Sequence, residues 1–398
     1  MTSAASMTSV FARTDRSAIA RWWWTVDKPM LGALLTLVVF GMALVTTASP
    51  PVAIRIGADH THFIIRHAAA IVPMLLIMLA VSLLSHRWIR RVATIICLVG
   101  IALMALVPFV GVEIKGAQRW IHFPGMSLQP SEFVKPTFAI LSAWMMSYGK
   151  QNPGFPGMWV ASGLWLLVAF LLMLQPDFGM TFVITCVFAS QIFFAGLPLR
   201  YFLFLILAGA VGVVVVYFSF DHVHSRIDRF LNPQSGDTYQ IDKSLEAFAN
   251  GGFIGEGPGQ GVVKNSLPDG HADFIFAVAG EELGLLFTLV IIGIYGFILL
   301  RGFNRLMEAA DLFAVLAAGG ILSMFGLQAF VHMGSSLELL PAKGMTLPFI
   351  SYGGSSLLSM GFAMGIVLGL TRREGRSGIA KGGLTLKVHR PNRQGSGA

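Results

Sequence analysis

Charge is what this sequence has least of. Only 12% of its 398 residues are Asp, Glu, Lys or Arg, about half the roughly 25% of an ordinary soluble domain. Against 55% hydrophobic residues and a mean hydropathy of +0.71, that is too little polar surface to face water. A soluble globular protein is excluded, and lipid must be the solvent for much of the chain. Cysteine is nearly absent. Cys97 and Cys186 both fall inside apolar runs, where a thiol behaves as a small hydrophobe, so a disulfide framework and a cysteine-rich metal site are excluded. Acidic residues are the scarcer sign, 20 against 28 basic, and the net charge is +8. A basic excess can mean nucleic acid. Here the cations stand in short clusters between apolar runs rather than on one face, which is the pattern of membrane topology and not of a nucleic-acid partner.

Apolar runs are what the chain does have. They cover roughly 30–48, 64–84, 92–110, 133–149, 158–174, 178–196, 200–219, 273–300, 312–333 and 352–370, each near the ~20 residues a helix needs to cross a bilayer. The expected fold is all-α: a polytopic integral membrane protein with about ten transmembrane helices. Lys and Arg gather in alternate connections (Arg21 and Lys28; Arg87, Arg90 and Arg91; Lys150; Arg200; Arg301 and Arg305; Arg372, Arg373 and Arg376), so the positive-inside rule places both termini in the cytoplasm. Three regions follow. Residues 1–28 form a cytoplasmic tail ending in an interfacial anchor of Trp22, Trp23, Trp24 and Arg21. Residues 29–372 form the transmembrane domain, with a large extracytoplasmic loop, 221–272, between helices 7 and 8. Residues 373–398 form a disordered basic tail suited to anionic lipid.

The outer connections hold the chemistry. In KGAQRWIHFPGMSLQPSEFVKP (115–136), Pro130-Ser131-Glu132 opens a helix, and Glu132 and Lys135 share one face at i,i+3. A lysine one turn inside a span must be paired or must line a polar cavity. The pair either fixes the helix end or, with Arg119, forms a cationic pocket for a phosphate-bearing head group. Asp177 in QPDFG is a turn or cap residue at the same rim, or a part of the site. The glycines at 255, 257, 259 and 261 follow no strand, so they are not a nucleotide fingerprint. IDKSLEAFAN (241–250) has the spacing of a short amphipathic helix on the membrane surface. His60/His62 and His222/His224 lack further ligands at metal-site spacing and are expected to be solvated. LPAKGMTLPFISYGGSS (340–356), with Lys343, is expected to be re-entrant chain walling a polar cleft. Glu281 and Glu282 lie too deep for outside solvent and must pair or face the bundle interior. Asp273 stands at the mouth of the eighth span, as a general base or as a dipole partner for the helix start.

KGAQRWI, QPSEFVK, QPDFG, GDTYQ, HADFIFAVAGEELG and LPFISYGGSS, in this order, resemble the SEDS (shape, elongation, division and sporulation) family over about residues 25–372, and its cell-division branch more than its elongation branch. Gly270 and Ala272 depart from that family's usual residues beside Asp273. The resemblance implies a peptidoglycan glycosyltransferase of the bacterial inner membrane at the division septum. Its substrate would be lipid II, a disaccharide-peptide on undecaprenyl pyrophosphate. Asp273 would take a proton from the acceptor hydroxyl. Arg119, Lys135 and Lys343 would stabilise the leaving pyrophosphate, alone or with a divalent cation (Mg or Mn). Glu132 would orient Lys135, Trp120 would pack on sugar or lipid, and Asp177 would join the substrate site. No other cofactor is implied. The implied partners are a class B, FtsI-like penicillin-binding protein and other division proteins. The competing expectation is a lipid II flippase, which Glu281 and Glu282 keep open. Against it, no internal repeat is evident, and the polar residues gather at the outer end rather than the midplane.

Overall fold

The computed structural model describes residues 17–114, 117–123, 126–196, 238–341 and 344–372, with scattered positions between 200 and 228. Much of the expected span at 200–219, the tail 373–398, most of the tail 1–28, His222 and Lys343 therefore lie outside the described residues. The described residues divide into two units, 17–25 with Arg372 and Val26–Thr371. In the first, helix α1 (Ala18–Thr25) carries the three tryptophans, with the Trp22 and Trp23 rings 6.3 Å apart.

The second unit is a helical bundle. Its elements are α2 (Lys28–Arg55), α3 (His62–Ser82), α4 (His86–Val110), β1 (Val112–Ile114), β2 (Ala117–Phe123), β3 (Met126–Leu128), α5 (Pro130–Gln151), α6 (Gly157–Leu174), α7 (Phe178–Phe194), α8 (Tyr239–Gly251), α9 (Ile275–Met307), α10 (Leu312–Ser336) and α11 (Gly354–Leu370). Six of these, α2, α3, α4, α6, α9 and α10, are long and apolar enough to cross a membrane, and α7 and α11 are shorter apolar helices. Helix starts follow the capping rules. Asp27, Asp177 and Asp311 each cap a helix by accepting a backbone N–H from its first turn.

The connection 111–129 differs from expectation. It is a three-stranded antiparallel sheet in the order β1-β2-β3, with Val112 opposite Trp120 and Ile121 opposite Leu128. The edge strands β1 and β3, three residues each, are too short to show an apolar alternation. α8 also differs. Its small face (Ser244, Ala247, Gly251) is buried on the bundle, and the Ser244 hydroxyl donates to the Ser336 carbonyl at 2.7 Å.

The core is α5, α10 and α11, of which α11 is buried at 15 of its 17 positions. Helix α11 lies against α3 through Gly361, Gly365 and Gly369, which face Met74, Met78 and Ser82. Small residues four apart let two helices meet backbone to backbone where apolar burial gives no drive between them. The cation-rich end of the bundle is held by Asp27, which accepts from Arg301 Nε at 2.6 Å and Arg305 Nε at 2.7 Å, and by His86, 3.0 Å from Asp311. Burial alone would raise the Asp27 pKa. Hydrogen bonds from Arg301, the Met30 amide and Arg305 outweigh it and hold the carboxylate below its ordinary range.

The glycine stripe is testable. A Cβ at Gly365 would stand 2.6 Å from the Met78 carbonyl oxygen, whereas one at Gly296 meets nothing within 4 Å. Gly365→Ala should destabilise the protein by about 1–3 kcal/mol, while Gly296→Ala should be neutral or stabilising by up to about 1 kcal/mol. Thermal unfolding of both variants in detergent checks the contrast.

Candidate functional site

The end opposite the Asp27 clamp is organised by the segment after α10. Residues 344–353 do not run over the surface. Leu347, Phe349 and Ile350 are buried, and a Cβ at Gly41, midway along α2, would meet the Phe349 carbonyl oxygen at 2.3 Å. This is non-helical chain at membrane depth, so its peptide groups need partners from the protein. Two spans supply them, α10 and α9. His332 Nδ1–H donates to the Met345 carbonyl at 2.6 Å, the Gln328 amide donates to the Thr346 carbonyl at 3.1 Å, and the Tyr295 hydroxyl donates to the Pro348 carbonyl. Gln328 and His332 are four residues apart on α10 and so lie on one face.

This segment meets the turn that carries Asp273. The Tyr352 amide donates to the His271 carbonyl at 3.0 Å, and the Ser351 hydroxyl donates to the Ala272 carbonyl at 2.7 Å. Asp273 itself precedes α9, held in a turn by its amide bond to the Asp269 carbonyl at 2.9 Å. It is half-buried. Gly344 lies against its carboxylate, since a Cβ there would be 3.3 Å from Oδ2. Phe63, His271 and Tyr352 pack ring on ring beside the turn, with centroids 4.5–5.1 Å apart. Burial holds the His271 imidazole neutral by pushing its pKa down to about 4; Asp269 opposes the shift and His67 adds to it. The Arg66 guanidinium hydrogen-bonds the Tyr352 phenol.

Glu132 and Lys135 are also brought to this segment, from behind. Lys135 is 1% exposed, and its ammonium lies 2.9 Å from Glu132 Oε2 and 3.1 Å from Gln328 Oε1. Gln328 in turn holds Thr346. The pair is therefore linked to the loop beside Asp273, while the Lys135 ammonium is closed off from the cleft. Arg119 and Asp177 form a second group. Arg119 donates to the carbonyls of Gln175 and Pro176 and lies 3.6 Å from Asp177. This fixes β2 on the turn between α6 and α7. Trp120 is half-buried in β2 opposite Val112. Ser355 Oγ lies 3.2 Å from both the Gln129 amide and the Ser127 carbonyl, which joins the sheet to the start of α11.

Glu281 and Glu282 are accounted for. Glu281 accepts from the amides of Val262 and Val263, both at 2.7 Å, from Lys264 N at 2.9 Å and from Asn250 Nδ2 at 3.0 Å; Glu282 pairs with the Lys264 ammonium. Both are buried. The sequence reading passed over Gln328, His332, Tyr295, Tyr352, His271 and Arg66. A Gln and a His one turn apart in an otherwise apolar span were the available signal. Among the described residues no three His, Cys, Asp or Glu side chains converge as a metal site.

The family model described as "Cell cycle protein" (FtsW, RodA, SpoVE) matches residues 28–375. A protein of Caulobacter vibrioides named "Probable peptidoglycan glycosyltransferase FtsW" is 44% identical over 371 residues, covering 93% of this chain and 95% of that one. A protein of the same name from Geobacter metallireducens is 36% identical over 355 residues, 87% and 95% of the two chains. A chain from a solved peptidoglycan synthase complex, described as coordinating polymerization and crosslinking, superposes with a TM-score of 0.72 at 26% identity, covering 87% of this chain and 97% of that chain. The rod shape determining protein RodA of Thermus thermophilus superposes with a TM-score of 0.65, also at 26% identity, over 88% and 97% of the two chains.

Two outcomes are expected. Glu132→Gln leaves the Lys135 ammonium buried without its counter-charge and should cost about 3–5 kcal/mol, read as a fall in the thermal midpoint. The neutral His271 fixes a pH dependence. Its folded pKa of about 4 lies below the ordinary 6.5, so below pH 6.5 the unfolded chain takes up a proton that the folded chain does not. Stability should be flat in this component above about pH 7 and fall between 6.5 and 4, by on the order of 3 kcal/mol in all. His271→Gln should flatten that part of the pH–stability curve.

Proposed function

Because the chain belongs to the FtsW/RodA/SpoVE family of cell cycle proteins, we propose how its geometry performs peptidoglycan glycosyl transfer. The protein is a multi-pass membrane glycosyltransferase. Its substrate is lipid II, whose sugar and pyrophosphate enter the outer cleft while the polyprenyl tail stays in lipid. The 4-hydroxyl of the acceptor sugar attacks the anomeric carbon of the lipid-linked glycan. The new glycosidic bond forms as the bond to the pyrophosphate oxygen breaks. Asp273 takes the hydroxyl proton.

The observation that carries this reading is the placement of Asp273. It is a half-buried carboxylate at the mouth of the bundle, fixed by a turn whose carbonyls at 271 and 272 are held by Tyr352 and Ser351. A base held by backbone bonds is in place before substrate arrives. Arg66 is exposed and bonded to Tyr352, so it is assigned to the pyrophosphate, with Lys343, next in sequence to Gly344, as a second cation. Lys135, Glu132 and Arg119 act behind this front, holding the loop and the sheet. Trp120 and Asp177 shape the cleft on the sheet side. A divalent cation, Mg or Mn, would come with the pyrophosphate as part of the substrate.

The site of action is the division septum, at the outer face of the inner membrane. The partner is a class B penicillin-binding protein, in keeping with the likeness to a chain of a polymerizing and crosslinking complex. Further division proteins and membrane lipid complete its surroundings. The flippase reading loses its support, because Glu281 and Glu282 are engaged by the 250–264 segment.

The test uses the chain with its partner, the partner's transpeptidase blocked, and lipid II in detergent. Asp273→Asn should lower glycan polymer yield by about 10²–10⁴-fold, the range expected of a lost general base, with normal membrane insertion. Unchanged polymer from Asp273→Asn, or none from the native chain, would overturn the reading.

A further inference from the structure

Helix α9 is broken at Gly284, where φ is 76° and ψ is −178°. In an unbroken helix the amides of Leu285 and Leu286 would bond the carbonyls of Glu281 and Glu282. Here the segment after α8 takes their place on both sides. Leu285 N donates to the Gly252 carbonyl at 2.9 Å and Leu286 N to the Phe253 carbonyl at 3.2 Å, while Glu256 N donates to the Glu281 carbonyl at 3.0 Å and Gly257 N to the Glu282 carbonyl at 2.9 Å. Two helical bonds are exchanged for four to the wedge, and these groups are paired in either arrangement of the helix only if the wedge or the helix itself supplies the partner. The fit admits no side chain: a Cβ at Gly284 would stand 2.4 Å from Gly255 N, and one at Gly255 would stand 2.3 Å from the Glu282 carbonyl oxygen.

The part of α9 before the break, Ile275–Glu282, is buried throughout and leads directly from the Asp273 turn. Its carboxylates are gripped by the same segment, Glu281 by Asn250 and the amides of 262–264, and Glu282 by Lys264. Nothing in the chemistry of glycosyl transfer calls for these bonds. They fix the phase and height of the short helix that follows the Asp273 turn.

We infer that Gly284 and the 252–257 wedge are positioning elements for Asp273: they keep α9 in its broken form and so set where the carboxylate stands. The inference rests on the reaction proposed above. A side chain at 284 favours the continuous helix, with φ near −63° and ψ near −42°, which expels the wedge and re-aims the segment before it.

The experiment uses the full chain with its partner in nanodiscs. Gly284→Ala and Glu256→Pro, the second removing the amide donor to the Glu281 carbonyl, should each lower kcat for lipid II polymerisation by about 10–100-fold, as expected for a misplaced catalytic group, with KM within about 2-fold. Amide hydrogen exchange should rise in Gly284→Ala at Gly257 and at the Ala272 and Asp273 amides of the turn. Ile254→Ser, at an exposed tip of the wedge (81% exposed), should leave kcat unchanged. Native kcat in Gly284→Ala, exchange that rises at 257 but not at 272–273, or an Ile254→Ser defect as large as that of Glu256→Pro would overturn the inference. If Gly284→Ala does not accumulate folded, Glu256→Pro decides by the same readouts. Absence of polymer from the native chain would count against the reaction; the exchange result at 272–273 still decides the coupling.

Discussion

The bundle depends on pairing backbone groups inside an apolar medium. A helix satisfies its own peptides, but two segments here are not helical and still lie among the spans: 344–353, and 252–257 where it enters the break in α9. An unpaired amide or carbonyl in such surroundings costs several kcal/mol. The protein meets this with side chains placed deep in apolar helices, Gln328 and His332 on α10 and Tyr295 on α9, and with backbone bonds across the Gly284 break. The polar residues inside the spans are thus explained first as hydrogen-bond partners of irregular chain, and only through it as parts of a site.

That arrangement yields a carboxylate between two supports. On one side the 344–353 segment brings Ser351, Tyr352 and Gly344 to the Asp273 turn. On the other, the first part of α9 is held through its carbonyls and through Glu281 and Glu282. The buried Glu132–Lys135 pair contributes through Gln328. A buried ion pair is weak evidence for stability in itself; here its ammonium also orients the amide that holds Thr346. Behind this front the Arg119–Asp177 pair secures the small sheet. The result is an end of the bundle whose irregular chain is held from several sides, and it suits a reaction in which a tethered lipid presents a sugar and a pyrophosphate to a fixed base.

Much of this was legible in the sequence. Apolar runs of bilayer length located six described helices long and apolar enough to cross a membrane and two shorter apolar ones, because lipid imposes a length on a helix. The charges of Glu132, Lys135, Glu281 and Glu282 announced that partners must exist. The prolines and glycines of 340–356 announced re-entrant chain. The partners themselves were not legible. Glu281 is satisfied by backbone amides, which carry no sequence signature, and Gln328 reads as an ordinary polar residue until the loop it holds is seen. The sheet at 112–128 escaped because its edge strands have three residues each, though Lys115-Gly116 and Pro124-Gly125 are turn signals. The Gly361, Gly365 and Gly369 spacing was present and unread. The glycines at 255 and 257 follow no strand, but nothing local says that they fit against a helix break at Gly284.

The most direct test of the account is the accessibility of two points near one loop. With Cys97 and Cys186 replaced by Ser, a single thiol is placed either at position 273 or at position 347, and a membrane-impermeant maleimide is added outside intact spheroplasts. The account predicts prompt labelling at 273, at the outer mouth of the cleft, and none at 347 until the protein is denatured, because Leu347 is sealed at 1% exposure. Equal labelling at both positions would make 344–353 an ordinary surface loop, and labelling of 273 only from the cytoplasmic side would place the carboxylate on the wrong face of the membrane; either result contradicts the account.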